Sequence, residues 1–439
     1  MKKKFVSAAL AVVLALSMAA CGNTEPSTTG LNSGALATEV PAEPEAENAE
    51  TEAKGEAVSE STDSDAEGEE KLHFGIVTGS FSQSEDDRRG AEAFLEKYGE
   101  ENVTLAIYPD NFTDEMDTTI QIIRNLAEDP DMKAIIVNQA VDGTAEAFRQ
   151  VKEIRPDILC IAGEAYEDFS DIGEAADLVV NSDFVARGYL IIRNAHELGC
   201  DTFVHISFPR HLSYESVARE VAVMKAACEE FGMTFAMEEA PDPTTEVGVP
   251  GAQSYVLENV PKWLEKYGQK SAYFCTNDAH TEPLIKMLLE HGGYFIEADL
   301  PSPLMGYPGA LDLDLTEYAG DFEKILSEIE KAVVEKGGEG RFGTWVYSYG
   351  YTVSAGLAEH ARNVILGESS LTDINDLARA YGVFSPGAEW NGSNYQDAKT
   401  GECLDNTFLI YQDTYIFGKP GYYMGSTKVE VPEHYFTIE

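Results

Sequence analysis

Short polar runs that each follow an apolar run hold the side chains best placed for chemistry in this sequence. Thr78, Gly79, Ser80, Phe81 and Ser82 close the first apolar run at 72–78; Asn138 and Gln139 close 133–138; Gly163 and Glu164 follow 158–162. Further along, Phe208, Pro209, Arg210, His211, Ser213 and Tyr214 follow 202–207, and Thr276, Asn277 and Asp278 follow 272–275. Rings, amides and charges in this mixture suit holding a small polar ligand. Each residue alone also suits a turn or a helix cap, where Ser, Asn and Asp are favoured for their local hydrogen bonds. The runs carry weight together rather than singly.

Bond-making chemistry has no comparable support. The sequence contains no GxSxG elbow, Walker loop, HExxH pair or GxGxxG opening a helix. His205 and His211 are six apart, one in a strand and one in the following loop, a spacing that fits no helical metal pair. With 77 acidic residues against 31 basic ones, a given carboxylate pair says nothing about acid–base catalysis. We therefore expect a binding protein with no catalytic residue, metal or cofactor. The formal net charge of -46 also excludes the counterion displacement that nucleic-acid binding needs.

The elements that must position those runs alternate. Apolar, strand-like runs at 72–78, 103–108, 133–138, 158–162 and 178–181 enclose stretches of helical spacing at 86–98, 116–126 and 144–154. The alternation restarts with helices at 189–198, 216–231, 255–266 and 282–290 and strands at 202–207, 233–237 and 272–275. Continuous apolar strands alternating with amphipathic helices imply parallel sheets covered on both faces. The expected fold class is α/β, with two doubly wound parallel-sheet lobes joined by a hinge. The N-terminal lobe spans 72–183, the C-terminal lobe 184–305, and 306–405 returns mainly to the first lobe. The Tyr- and Phe-rich end, 406–439, reads as short strands or a covering segment.

Ahead of the lobes, Lys2, Lys3 and Lys4 precede an apolar stretch at 5–16, long enough for a signal sequence and too short to span a bilayer. Met18-Ala19-Ala20-Cys21 follows and resembles the lipobox of bacterial lipoproteins. That resemblance implies a signal over 1–20, lipidation of Cys21 and residence on the extracytoplasmic face of the cell membrane. The alternative is ordinary cleavage after Ala20 with Cys21 a free thiol. Such an acidic chain would be repelled by anionic lipid, so the acyl anchor is its expected hold on the membrane. Residues 21–71 carry the lipidated cysteine and an acidic Glu/Ala/Ser/Thr/Pro tether too poor in apolar groups to fold. Cys160, Cys200, Cys228, Cys275 and Cys403 are odd in number and form no CxxC pair, so they define neither a zinc ribbon nor a thioredoxin motif.

Three stretches resemble the type I periplasmic-binding-protein superfamily, of sugar-binding proteins and the ligand domains of some repressors. Val179-Val180-Asn181-Ser182-Asp183-Phe184-Val185-Ala186-Arg187-Gly188-Tyr189 is similar to its first hinge crossing. Phe274-Cys275-Thr276-Asn277-Asp278-Ala279 is similar to its Asn-Asp loop, and Tyr347-Ser348-Tyr349-Gly350 through Gly367-Glu368 to its return segment. The likeness covers about 72–370 and, with the lipobox, extends to an uncharacterised group of clostridial-type lipoproteins. It implies two lobes that close on a ligand, with Asp183, Asn277 and Asp278 at pocket or hinge positions. Phe81 takes the place of an aromatic that stacks on a sugar ring, and Arg219 that of an arginine opening a C-lobe helix. The superfamily's Gly-Phe-Asp-Gly turn is here Gly306-Tyr307-Pro308-Gly309, and Phe184 stands where asparagine is usual. Both changes remove polar groups and imply a ligand with an aromatic or partly apolar body. The expected ligand-binding set is Ser80, Phe81, Asn138, Gln139, Glu164, Asp183, Arg210, His211, Tyr214, Arg219, Asn277, Asp278 and Tyr307. The expected role is solute capture for an ABC permease; the alternatives are ligand sensing for a membrane signalling partner, or a surface enzyme.

Overall fold

The computed structural model describes residues 71–81 and 84–438. The lipobox-like run with Cys21, and the tether before residue 71, lie outside the described residues.

The first lobe alternates as its sequence does: β1 (His73–Thr78), α1 (Glu85–Tyr98), β2 (Val103–Ile107), α2 (Met116–Leu126), β3 (Met132–Asn138), α3 (Thr144–Ile154), β4 (Leu159–Gly163), α4 (Phe169–Ala175) and β5 (Leu178–Ser182). The strands run parallel in the order β2-β1-β3-β4-β5. Helices cover both faces, which is why β3 reads Met-Lys-Ala-Ile-Ile-Val-Asn with only Lys133 incompletely buried.

From Asp183 the chain enters α5 (Phe184–Glu197), then β6 (Thr202–Ser207), α6 (Glu215–Phe231), β7 (Thr234–Glu239), α7 (Gly248–Tyr267), β8 (Ser271–Cys275), α8 (Asp278–His291) and β9 (Tyr294–Phe295). These strands form a second parallel sheet, β7-β6-β8-β9. Next come α9 (Tyr307–Leu311) and α10 (Phe322–Glu335). Their Tyr307, Phe322, Ile325 and Ile329 share a buried cluster with Val204, Ile206, Tyr273 and Leu284 of the second sheet and its helices.

The return begins at β10 (Gly343–Thr344) and continues through α11 (Tyr349–Ile365), α12 (Ile374–Tyr381), β11 (Trp390–Gln396) and β12 (Cys403–Gln412). So 306–335 packs with the second lobe, and the first lobe receives the chain from α11 onward. β12 pairs parallel with β5 and β11 lies antiparallel outside it, extending the first sheet to seven strands. β13 (Tyr415–Ile416) and β14 (Tyr422–Tyr423) then form a small antiparallel sheet with β10. Two of the three passages between lobes, at β10 and β13, are thereby hydrogen-bonded to each other; the third is β5 to α5. The last turn returns to the second lobe: Tyr435 is fully buried, its ring 4.9 Å from Tyr189 and its hydroxyl donating to Glu230 at 2.7 Å.

Asp183, Asn277 and Ser348 accept first-turn backbone N–H groups and cap α5, α8 and α11. The Asp183 cap starts α5 at Phe184, five residues before the sequence periodicity does. Phe184 to Ile192 is buried on every side and so shows no amphipathic pattern. The five described cysteines are free thiols, four of them buried.

Candidate functional site

In open parallel sheets a ligand crevice lies beyond the carboxyl ends of the strands, where strand order reverses. That reversal falls between β1 and β3 in one lobe and between β6 and β8 in the other. The two sets of strand ends face each other across the interlobe cleft.

Glu164, at the end of β4, has φ 45, a conformation that costs a residue with a Cβ about 1–3 kcal/mol. Its N–H donates to Val180 O at 2.8 Å, and its carboxylate accepts the Ser182 N–H at 3.0 Å and the Tyr349 hydroxyl. The carboxylate is thereby fixed against a cavity of about 60 Å³ between the lobes. Tyr166 lines the same cavity and donates its hydroxyl to Gln139 Oε1. From the second lobe come His211 and Tyr214, on the loop after β6. The Ser207 and Thr276 hydroxyls, 2.7 Å apart, bridge the ends of β6 and β8, and His211 Nδ1 lies 3.3 Å from Thr276 Oγ1. Arg210 is gripped by Asp242 at 2.7 and 3.0 Å and donates to the Tyr214 hydroxyl at 3.2 Å. Tyr166 and Tyr214 then meet across the cleft with ring centroids 5.5 Å apart.

The remaining wall is charged. Arg187 of α5, Glu220 of α6 and Asp299 beyond β9 all line the cavity. Arg187 lies 3.3 Å from Glu297, donates to Ala298 O at 2.8 Å, and has Nη1 4.0 Å from Glu220. Burial pushes Glu220 up to about 7, and raises Glu164 and Asp299 above the ordinary carboxylate range, Asp299 also through Glu220. Burial, then the Arg210 charge, pushes His211 down to about 4, so its ring is neutral at pH 7.

A larger groove of about 610 Å³ lies between α1 and the α9–α10 region. Leu304, Met305, Leu313, Phe322 and Ile325 give it an apolar side, and Asp86 and Asp278 a polar end. Burial, reinforced by Asp86, pushes Asp278 up to about 7.

Of the residues selected from sequence, Glu164, His211 and Tyr214 meet in the small cavity, Gln139 and Arg210 hold two of its rings, and Asp278 opens onto the groove. The others lie elsewhere. Ser80 bonds Asp110 at 2.6 Å, and Phe81 is 46% exposed beneath the Arg89 guanidinium. Asn138 is buried under the cleft, donating to Asp87 at 3.1 Å and Ser354 at 2.8 Å. Asp183 and Asn277 serve as caps. Tyr307 donates to Gly343 O at 2.7 Å inside the second core. Arg219 donates to the Gln396, Phe436 and Ile438 carbonyls, clamping the C-terminal tail. Sequence reasoning missed Tyr166, Arg187, Glu220 and Asp299. Tyr166 was within reach, two residues past the loop considered. Arg187 and Glu220 sit inside helices, and Asp299 follows a two-residue strand too short to register.

The model of the family described as protein of unknown function, DUF3798, matches residues 72–343, and a second family model matches 354–438. An uncharacterized protein of Treponema pallidum (strain Nichols) is 42% identical over 209 residues, 48% of this chain and 94% of that protein. A second from the same strain is 38% identical over 180 residues, 40% of this chain and 81% of the relative. Among solved structures, a Clostridium difficile 630 protein described as a transcriptional regulator superposes with a TM-score of 0.68 at 22% identity, over 79% of this chain and 99% of that one. That likeness shows the fold alone, two parallel-sheet α/β lobes joined by passages of the chain. Two lobes with facing strand ends support ligand binding between them.

Proposed function

This chain belongs to the family described as protein of unknown function, DUF3798, and we propose that it is a solute-binding lipoprotein that captures a small molecule between its lobes. The observation that carries the reading is the 60 Å³ cavity walled from both lobes, with Tyr166 facing Tyr214 across it. A ligand touching both walls binds the closed arrangement better than the open one, and that difference in affinity drives closure. The groove with its apolar side supports a ligand whose body is partly apolar. The lysines at 2–4 and the Met18-Ala19-Ala20-Cys21 run support lipid anchoring at Cys21 on the extracytoplasmic face. Among the described residues no helix is long and apolar enough to cross a membrane. An anchored binder concentrates its ligand beside a membrane partner, and delivery to an ABC permease is the use we assign it.

A thermal-shift screen against amines, sugars, nucleosides, flavins, amino acids and peptides tests the binding claim. A ligand at 100 times its Kd adds about 2.7 kcal/mol, a rise of a few degrees in Tm that Tyr214→Ala should cut to about half or less. A ligand that shifts wild type and Tyr214→Ala alike sits elsewhere. Labelling with radioactive palmitate, lost in Cys21→Ala, tests the anchor; equal labelling of both proteins removes it.

A further inference from the structure

The walls of the interlobe cavity carry more negative charge than the protein answers. Glu164, Glu220 and Asp299 line it, and Arg187 is the one cation among its lining residues. Arg187 is also shared with Glu297, itself 3% exposed. Four carboxylates thus stand around one guanidinium, and neutral His211 adds no charge. Glu220 is 2% exposed, and its Oε1 has no hydrogen-bond partner among the described residues; Arg187 approaches it no closer than 4.0 Å. A buried carboxylate oxygen with a distant ion pair and no hydrogen-bond donor is a costly arrangement unless something with donors and positive charge enters. Among the described residues no three His, Cys, Asp or Glu converge closely enough to hold a metal ion. The carboxylates come instead from separate walls, at the end of β4, within α6 and beyond β9. The same cavity is lined by Tyr166 and Tyr214, and aromatic ring faces attract cations. About 60 Å³ is room for a few water-sized groups, the scale of one ammonium head.

We propose that the ligand is an organic amine whose ammonium group occupies this cavity, donating to Glu164, Glu220 and Asp299 beside the Tyr166 and Tyr214 rings. This rests on the solute-binding reading and names its substrate class. Burial raises all three carboxyls above their ordinary range in the ligand-free protein, Glu220 to about 7, and an ammonium ion beside them would favour their ionised forms.

Calorimetric titration of the full chain would compare putrescine, spermidine and phenethylamine with 1,4-butanediol and 2-phenylethanol as neutral matches, D-allose and uridine as neutral solutes, and glutarate as an anion. We expect an amine to bind at least 100-fold more tightly than its neutral match, and Asp299→Asn to weaken it at least tenfold. If a neutral or anionic probe binds and no amine does, the amine assignment fails while solute binding stands. If no probe of any class binds, both fall. A second readout needs no ligand. Glu220→Gln and Asp299→Asn each relieve like-charge repulsion, so each should raise the Tm of the ligand-free chain by a few degrees. A fall of that size would show that these carboxylates hold the fold together, and would overturn the proposal.

Discussion

Glu164 keeps a strained backbone because four neighbours hold it: the Val180 carbonyl, the Ser182 amide, the Ser182 hydroxyl at 3.4 Å and the Tyr349 hydroxyl. Strain sustained in this way concentrates at sites that bind. Around it, burial lifts Asp87, Asp278 and Glu220 to about 7 and Asp183 to about 6. A carboxyl whose folded pKa exceeds its unfolded one binds protons more tightly in the fold. Its stabilising contribution is complete below the unfolded value, about 4, and is lost as pH rises through the folded value. His205 and His211, pushed down by burial to about 3 and 4, act in the opposite sense between pH 4 and 6.5, so the acid is read by difference. Between about pH 4 and 7 the ligand-free protein should lose thermal stability relative to Asp278→Asn, and equal slopes in the two proteins would contradict the buried acid. Tyr214→Ala removes one of the two facing rings. It should weaken ligand binding by about 10- to 100-fold, or 1.4–2.8 kcal/mol, in an isothermal titration, while shifting the ligand-free Tm little.

At the scale of elements, Arg219 separates two roles that the sequence left together. The sequence reading counts it in the ligand-binding set, as an arginine opening a C-lobe helix; the folded chain places it 3% exposed between the Phe184 and Tyr395 rings, donating to three carbonyls of the return segment and tail. Arg219→Ala should cost about 3 kcal/mol in urea unfolding, since charged hydrogen bonds contribute about 1.5–3 kcal/mol each and part is recovered by solvation. Ligand affinity of the folded protein should be unchanged; a loss of affinity with stability intact would return Arg219 to the pocket. Gly90 packs α1 directly on α11, where an added Cβ would lie 2.1 Å from the Tyr351 carbonyl. Gly90→Ala should destabilise by about 1–3 kcal/mol, read in the same unfolding experiment. Most elements were legible because parallel strands are continuously apolar and their helices amphipathic: α2, α3 and β6 fall at the residues expected. The elements that escaped have weak signals. β9 is two residues long, α12 eight, and β11 reads Trp-Asn-Gly-Ser-Asn-Tyr-Gln, polar because it is an edge strand. Loops at strand ends pointed to the crevice, whereas Arg187 and Glu220 reach it from helix interiors, which only the packing of α5 on α6 beside the cleft reveals.

For the whole molecule, one stretch of chain extends the first sheet and ties the passages between the lobes. β12 completes the first sheet, β13 ties to β10 between the lobes, and Tyr435 anchors the end against the second lobe. A buried network lies alongside: Thr414 donates to Glu297, and Asn194 donates to Thr414 and Ser426 at 3.0 Å each. Because Glu297 also holds Arg187 on the cavity wall, the cavity wall is connected by side chains to the passages between lobes. In the proposed function one ligand touches both lobes at this cavity. Hydrogen exchange of the chain with and without a ligand found by the thermal-shift screen tests it most directly, because protection reports which backbone segments a ligand steadies. Protection is expected in both lobes at once, around Glu164 to Tyr166 and Ser182 to Arg187, and around His211 to Glu220 and Asp299. Protection confined to a single lobe, or centred away from these segments, would contradict it.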